Sequence, residues 1–123
     1  MREERGSLAG DIIIKEPYTL WGTVAGKVTC MNGSKFYMRG AIYGDLEVQP
    51  GGRVHVLGNI SGNVMVGSKT KVILGGTVGG DVTNLGGRLY VEATAQIMGK
   101  VKTHVGAQTT IEPHARATEV VIE

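Results

Sequence analysis

Glycine and aliphatic residues recur along the chain at intervals of eighteen residues. Each repeat contains a glycine, an aliphatic residue, a second glycine and further aliphatic residues at alternate positions, as in GTVAGKVTC, GAIYGDLEV, GNISGNVMV and GGTVGGDVT. One glycine column contains Gly22, Gly40, Gly58 and Gly76. Alternation with period two places side chains on opposite faces of an extended chain, so the pattern predicts short β-strands rather than helices.

Aliphatic residues also recur every six positions, which divides each repeat into three short strands. Such a unit corresponds to one triangular coil of a parallel β-solenoid, whose coils stack about 4.8 Å apart. Val24, Ile42, Ile60 and Val78 then lie in one interior ladder, which no single coil could bury alone. We therefore predict an all-β, single-domain parallel β-helix of about six triangular coils, with 18 residues per coil.

The period changes toward both ends of the repeat array. Counting back eighteen residues from Cys30 reaches Ile12, which predicts a partial first coil that starts near Asp11. After Gly76 the register slips, so that Ile97 follows the preceding coil by nineteen residues. The predicted divisions are a flexible N-terminal segment at residues 1–10, a β-helix domain at residues 11–112, and a strand-like C-terminal segment at residues 113–123 that ends or caps the solenoid.

Composition and charge limit the partners and the location. The 20 glycines do not indicate a collagen helix or a proline-rich linker, because no collagen period exists and only 3 prolines are present. We therefore assign the glycines a positional role in the repeat. A formal net charge of +2 is too small to indicate nucleic acid or an anionic membrane, and we expect no specific nucleic acid partner. No apolar run approaches the roughly 18 residues of a membrane-spanning helix, so no transmembrane segment is expected. Cys30 is the single cysteine and no signal peptide is recognisable, which predicts a cytoplasmic location.

Enzymatic function is one hypothesis, because some solenoids with a six-residue period are acyltransferases that use a histidine. The candidates are His55, His104 and His114, but none has an acidic partner at a defined spacing, and a solvated surface position explains each more simply. The glycine-rich stretches lack the order of a phosphate-binding loop, and Cys30 fits an interior column. We predict no catalytic residue, no cofactor and no metal site.

The ends of a solenoid expose unpaired backbone groups and an apolar cross-section, which can template the addition of another molecule. Neither end of this sequence contains a convincing capping helix, so end-to-end self-association is expected. The predicted self-association residues are Ile12, Ile14, Tyr18, Leu20, Trp21, Ile111, Val120, Val121 and Ile122.

Outward side chains form a second candidate surface. A basic row contains Lys35, Arg53, Lys71 and Arg88, and the row beside it contains Tyr37, His55, Ile73 and Tyr90. Stacked like charges repel, and an acidic protein or polysaccharide would relieve that repulsion. The alternative is that these cations only keep the surface soluble and cover apolar neighbours. A further column, which contains Lys27, Asp45, Asn63, Asp81 and Lys100, is interpreted as ordinary surface charge balance.

The four repeats quoted above resemble the bactofilin family of polymer-forming bacterial cytoskeletal proteins, over about residues 20–102. The resemblance implies a right-handed parallel β-helix that polymerises through its terminal coils without a nucleotide and acts as a scaffold for other proteins or the cell envelope. The residues that would correspond to the polymer contacts are Ile12, Ile14 and Leu20 at one end and Ile111, Val121 and Ile122 at the other.

Two functions follow from these observations. The first is a non-enzymatic structural scaffold of the bactofilin type, a homo-oligomer or filament in the bacterial cytoplasm, for which association with the inner face of the cell envelope is left open. The alternative is a non-polymerising β-helix binding module that holds an acidic protein or polysaccharide on the basic and aromatic rows.

Overall fold

The computed structural model describes residues 2–122, which form twenty β-strands and no helix. No helix that could cross a membrane is therefore present in this range. The strands of the first four turns are β1 (Arg2–Glu4), β2 (Ser7–Ala9), β3 (Ile12–Ile14), β4 (Pro17–Leu20), β5 (Thr23–Ala25), β6 (Val28–Cys30), β7 (Lys35–Met38), β8 (Ala41–Ile42), β9 (Leu46–Val48), β10 (Arg53–Val56), β11 (Asn59–Ile60) and β12 (Val64–Val66). The remaining strands are β13 (Lys71–Leu74), β14 (Thr77–Val78), β15 (Val82–Asn84), β16 (Arg88–Val91), β17 (Gln96–Ile97), β18 (Lys100–Thr103), β19 (Gln108–Ile111) and β20 (Glu119–Ile122).

Three parallel sheets run along the solenoid, one on each of its three sides. Sheet A has the strand order β1-β4-β7-β10-β13-β16-β19, sheet B has β2-β5-β8-β11-β14-β17, and sheet C has β3-β6-β9-β12-β15-β18-β20. Up to β19, strands three apart in the chain are neighbours, because each turn contributes one strand to each side; β20 pairs with β18, since the last turn has only an isolated bridge on the sheet B side. The predicted all-β parallel β-solenoid is confirmed, with roughly seven turns in place of the expected six.

The interior is filled by columns of aliphatic side chains. Val24, Ile42, Ile60 and Val78 pair in succession along sheet B, and each is at most 1% exposed. The predicted register slip is also present, because Ile97 pairs with the residue nineteen positions before it. Burial of apolar area, worth roughly 25 cal/mol per Å², is the main favourable contribution of these columns.

The first turn differs from the prediction at its corner. Cys30 pairs with Ile14 and not with Ile12, because two residues separate β3 from β4 whereas four separate β6 from β7. The strands β1 and β2 precede Asp11 and pair with β4 and β5, so residues 2–9 extend the solenoid by one turn. At the other end, β19 and β20 pair with β16 and β18, so the C-terminal segment continues the same stack.

One glycine column is required by the close approach of successive coils. A Cβ atom on Gly58 would lie 1.9 Å from the carbonyl oxygen of Gly40, far inside van der Waals contact. The same clash occurs at Gly40 and Gly76, where the distances are 1.8 and 1.9 Å. A side chain in this column would push neighbouring coils apart, and this explains why glycine recurs with the period of the coil.

A hydrogen-bonded ladder runs along the column that the sequence suggested was only charge balance. Asp45 Oδ1 accepts a hydrogen bond from the backbone N–H of Asn63 at 2.7 Å, and Asn63 Oδ1 accepts one from that of Asp81 at 2.8 Å. Asp81 Oδ1 accepts from the backbone N–H of Lys100 at 2.8 Å. This hydrogen bond, aided by the nearby charge of Lys102, lowers the pKa of the Asp81 carboxyl. The column therefore ties each coil to the next.

The core also contains polar groups that are satisfied internally. Asn84 is fully buried at the turn where the register slips. Its Oδ1 accepts from the backbone N–H of Gly87 at 2.9 Å, and its Nδ2 donates to the carbonyl oxygen of Gln108 at 2.9 Å. Burial raises the pKa of the Cys30 thiol to about 12, so this side chain behaves as a small apolar residue.

Replacing a column glycine tests the close-packing explanation. In Gly58→Ala the new methyl group must displace the Gly40 carbonyl, and the free energy of unfolding should fall by about 1–3 kcal/mol. Gly6→Ala is the matched control, because its nearest neighbour is the flexible Glu4 carboxylate, 3.2 Å away, and its unfolding free energy should change by less than about 0.5 kcal/mol. Denaturant unfolding followed by circular dichroism measures both, and equal losses would contradict the explanation.

The ladder predicts a pH effect at Asp81. Since the pKa of the Asp81 carboxyl in the folded protein lies below its ordinary value of 3.8, the carboxylate stabilises the native state above that pH, and this contribution disappears as the pH falls through the folded pKa. Asp81→Asn keeps an acceptor for the Lys100 N–H but cannot be protonated. Between neutral pH and about pH 3, wild type should lose more unfolding free energy than the variant. The same loss in both proteins would show that the Asp81 charge does not contribute.

Candidate functional site

The two ends of the solenoid form one candidate site. The N-terminal edge consists of β1, β2 and β3, and the C-terminal edge consists of β19, β20 and the segment around Arg116. Arg116 pairs with Gln96 through an isolated bridge, which completes the third side of the last turn. Within residues 2–122 no helix covers either end.

The N-terminal end combines an apolar patch with a charged strip. Leu8, Ile12 and Tyr18 are half-buried and pack against the core from one side. The positions of β1 that continue the interior columns of sheet A are occupied by Arg2 and Glu4, and Arg2 pairs with Tyr18. Partial burial, with the nearby Glu4 carboxylate, raises the pKa of the Tyr18 hydroxyl. The charged strip covers one side of this end and leaves the other two sides apolar.

Each of the three sides of the C-terminal end carries apolar side chains. Ile111, Ala115 and Ala117 are half-buried and pack against the core. Val120 and Ile122 continue two interior columns of sheet C, yet they are 53% and 80% exposed. Their exposure is a consequence of position, because in the described chain no further coil lies over them.

Three of the predicted self-association residues lie away from the end surfaces. Ile14 and Leu20 are only 3% and 0% exposed and belong to the core. Trp21 is 40% exposed on the side wall, between the guanidinium groups of Arg5 and Arg39, each 5.0 Å from the centroid of its ring. Ile14 and Leu20 are therefore covered within the single molecule, and Trp21 is engaged with side chains of its own chain.

Sequence reasoning also missed three residues of the end surfaces, namely Leu8, Ala115 and Ala117. Leu8 was assigned to the flexible N-terminal segment, although it pairs with Val24 sixteen residues later. A repeat search that tolerated a coil two residues shorter would have found it. Val121, which was predicted as a contact, alternates with its neighbours on β20 and therefore faces the side of sheet C.

The outward rows of sheet A form the second candidate site. Strand pairing stacks Lys35, Arg53, Lys71 and Arg88 directly on one another, which confirms the predicted basic row. All four side chains are exposed, and none makes an ion pair with another described residue. At a strand spacing of about 4.8 Å, two neighbouring unit charges repel by about 1 kcal/mol in water.

The neighbouring row and the corner beside it give this face a concave surface. Tyr37, His55, Ile73 and Tyr90 stack parallel to the basic row, as predicted. Concavities lie on both sides of the cations, and we call them together the basic groove. Its lining residues include Lys35, Tyr37, Arg53, His55, Lys69, Lys71, Ile73, Gly86, Gly87, Arg88, Tyr90, Gln108 and Thr110.

A histidine and a carboxylate meet at the edge of the basic groove. His55 Nε2 is 3.3 Å from Glu92 Oε1, and the Tyr90 hydroxyl donates a hydrogen bond to Glu112. Residue spacing alone does not predict the pair of His55 and Glu92, because 37 residues separate them and only the stacking of coils brings them together. Both contacts lie on an open side of the solenoid. Among residues 2–122, no group of three or more His, Cys, Asp or Glu residues could hold a metal ion.

Comparison with known families gives one match. A family model described as "Bactofilin: Polymer-forming cytoskeletal" matches residues 3–102, which is most of the chain. The matched region begins in β1 and ends in β18, so it spans the first six turns of the solenoid. No curated protein and no solved structure matches the chain.

Proposed function

Since the chain belongs to the bactofilin family of polymer-forming cytoskeletal proteins, we propose that it is a structural scaffold that self-associates end to end through its terminal coils. The observation that carries this proposal is the uncovered interior column at the C-terminal end. Val120 and Ile122 occupy positions that are covered in earlier coils, yet they are 53% and 80% exposed. A second molecule stacked on this end would bury them as another coil would.

The strand edges support the same contact. The outermost strand of each sheet has a neighbour on one side only, and an unpaired edge can pair with a strand of another chain. At the N-terminal end, Leu8, Ile12 and Tyr18 add apolar area to these edges. An interface of this kind would extend both the backbone ladders and the interior columns from one subunit into the next.

The proposed scaffold role requires no catalytic activity. A cytoskeletal polymer of this type needs no catalytic residue, no cofactor and no nucleotide, and the proposed location is the cytoplasm, with contact to the inner face of the cell envelope as a further part of the proposal. The non-polymerising binding module is less well supported, because the matching family is polymer-forming.

Charge placed on the C-terminal end should prevent assembly. In the variant Val120→Lys/Ile122→Lys, each ammonium group would have to be desolvated when a second molecule stacks on this end, which is costly for an unpaired charge. Electron microscopy and sedimentation should show filaments or sheets for wild type and none for the variant at the same protein concentration. Filaments of normal appearance in the variant would contradict the proposed contact.

A side-wall variant provides the control for this experiment. Met65 is 41% exposed in the middle of sheet C, so Met65→Lys adds a lysine at an apolar surface position far from either end. The Met65→Lys variant should assemble like wild type.

The end variant Val120→Lys/Ile122→Lys also shows whether subunits meet through unlike or like ends. It stays monomeric if unlike ends meet, because every contact then needs a C-terminal end, and it forms dimers if like ends meet.

A further inference from the structure

We infer that the basic groove binds an acidic polysaccharide whose chain lies along the solenoid axis, across the strands of sheet A. The inference goes beyond self-association, because the groove is on the side of the molecule and stays accessible when the ends are occupied. It rests on three features of the face: the spacing of its cations, the lack of carboxylates to compensate them, and the nature of the row beside them.

The distance between neighbouring cations is set by the stacking of successive coils. Lys35, Arg53, Lys71 and Arg88 occupy equivalent positions in four successive coils, so their attachment points are separated by about 4.8 Å along the axis. Lys69 lines the same groove on its corner side and adds a fifth positive charge. A ligand that matches this row carries one negative charge for each step of about one coil.

The basic row is less compensated by carboxylates than cations elsewhere on the solenoid. None of the cations in the row lies within ion-pair distance of a carboxylate in the described part of the chain, whereas Lys27, Lys100 and Lys102 on other faces each have such a partner. The carboxylates of Glu92 and Glu112, at the edge of the groove, are engaged with His55 and Tyr90. An anionic ligand would therefore be attracted by the whole row and would relieve its self-repulsion.

The row beside the cations suits sugar rings. Tyr37, Ile73 and Tyr90 present flat or apolar surfaces on which the C–H faces of a pyranose can pack, while Gln108 and Thr110 offer amide and hydroxyl groups to ring hydroxyls. A polyuronic acid has one carboxylate on every ring, so it combines a high density of negative charge with the C–H faces that this row can pack against.

Other polyanions match the same surface less well. An extended acidic peptide also carries a high density of carboxylates, but it has no pyranose C–H faces to pack on Tyr37, Ile73 and Tyr90. A single-stranded nucleic acid relies on successive aromatic rings for stacking, and here the row is interrupted by Ile73. The mixed aromatic and aliphatic row beside the cations therefore favours the polysaccharide.

Titration of the full chain with an oligogalacturonate tests the inference, with poly-glutamate, single-stranded oligothymidylate and neutral dextran as comparison probes. Oligogalacturonate should bind most tightly, dextran should not bind, and added salt should weaken the binding. Arg53→Glu/Lys71→Glu should weaken oligogalacturonate binding by about tenfold or more. Arg53→Gln/Lys71→Gln, which removes charge without adding the opposite sign, should also weaken it.

The matched control carries the same change of net charge elsewhere. Lys27→Glu/Arg39→Glu lies outside the groove, just before β6 and just after β7, and should bind oligogalacturonate like wild type. Both groove variants should still assemble into filaments, which separates this inference from the proposed scaffold role. Absence of oligogalacturonate binding, equal binding by the groove variants and the control, or binding of poly-glutamate or oligothymidylate as tight as that of oligogalacturonate would each overturn the inference.

Discussion

Parallel pairing of each strand with the equivalent strand one turn later is the interaction on which the whole structure depends. It fixes the distance between coils at about 4.8 Å, and every recurring feature of the molecule follows from this spacing. A glycine column is needed where a Cβ on Gly58 would lie 1.9 Å from the Gly40 carbonyl oxygen. The aliphatic columns bury their side chains only because each is covered from above and below.

The same constraint separates the functions of the ends from those of the sides. The ends interrupt the columns and leave apolar side chains such as Val120 and Ile122 uncovered, which suits contact with another copy of the chain. The sides repeat whatever residue occupies an outward position, so a single Lys or Arg per coil becomes a continuous charged row. Assembly through the ends would lengthen the scaffold while leaving these rows accessible on each subunit.

Much of the fold could be predicted from the sequence, because in a solenoid residues one repeat apart in the sequence pair with each other in neighbouring coils. The column through Val24 and the slip at Ile97 were both visible as intervals between aliphatic residues. The pairing in the first turn could not be predicted from such intervals, because its corner is two residues shorter and shifts the partner of Cys30 from Ile12 to Ile14. The sequence pattern shows intervals, and it does not show which corner absorbs a deletion.

The candidate sites were less predictable for a different physical reason. The hydrogen bond from Asn63 N–H to Asp45 and the contact between His55 and Glu92 depend on the direction of individual side chains, which residue spacing does not specify. If subunits meet end to end, assembled molecules continue the stack of coils. Electron diffraction and helical reconstruction of the assembled protein measure this continuity, and we expect an axial spacing of about 4.8 Å and an axial length of roughly 34 Å per subunit of seven turns. Assemblies in which subunits meet only side by side, with no such axial repeat, would contradict it.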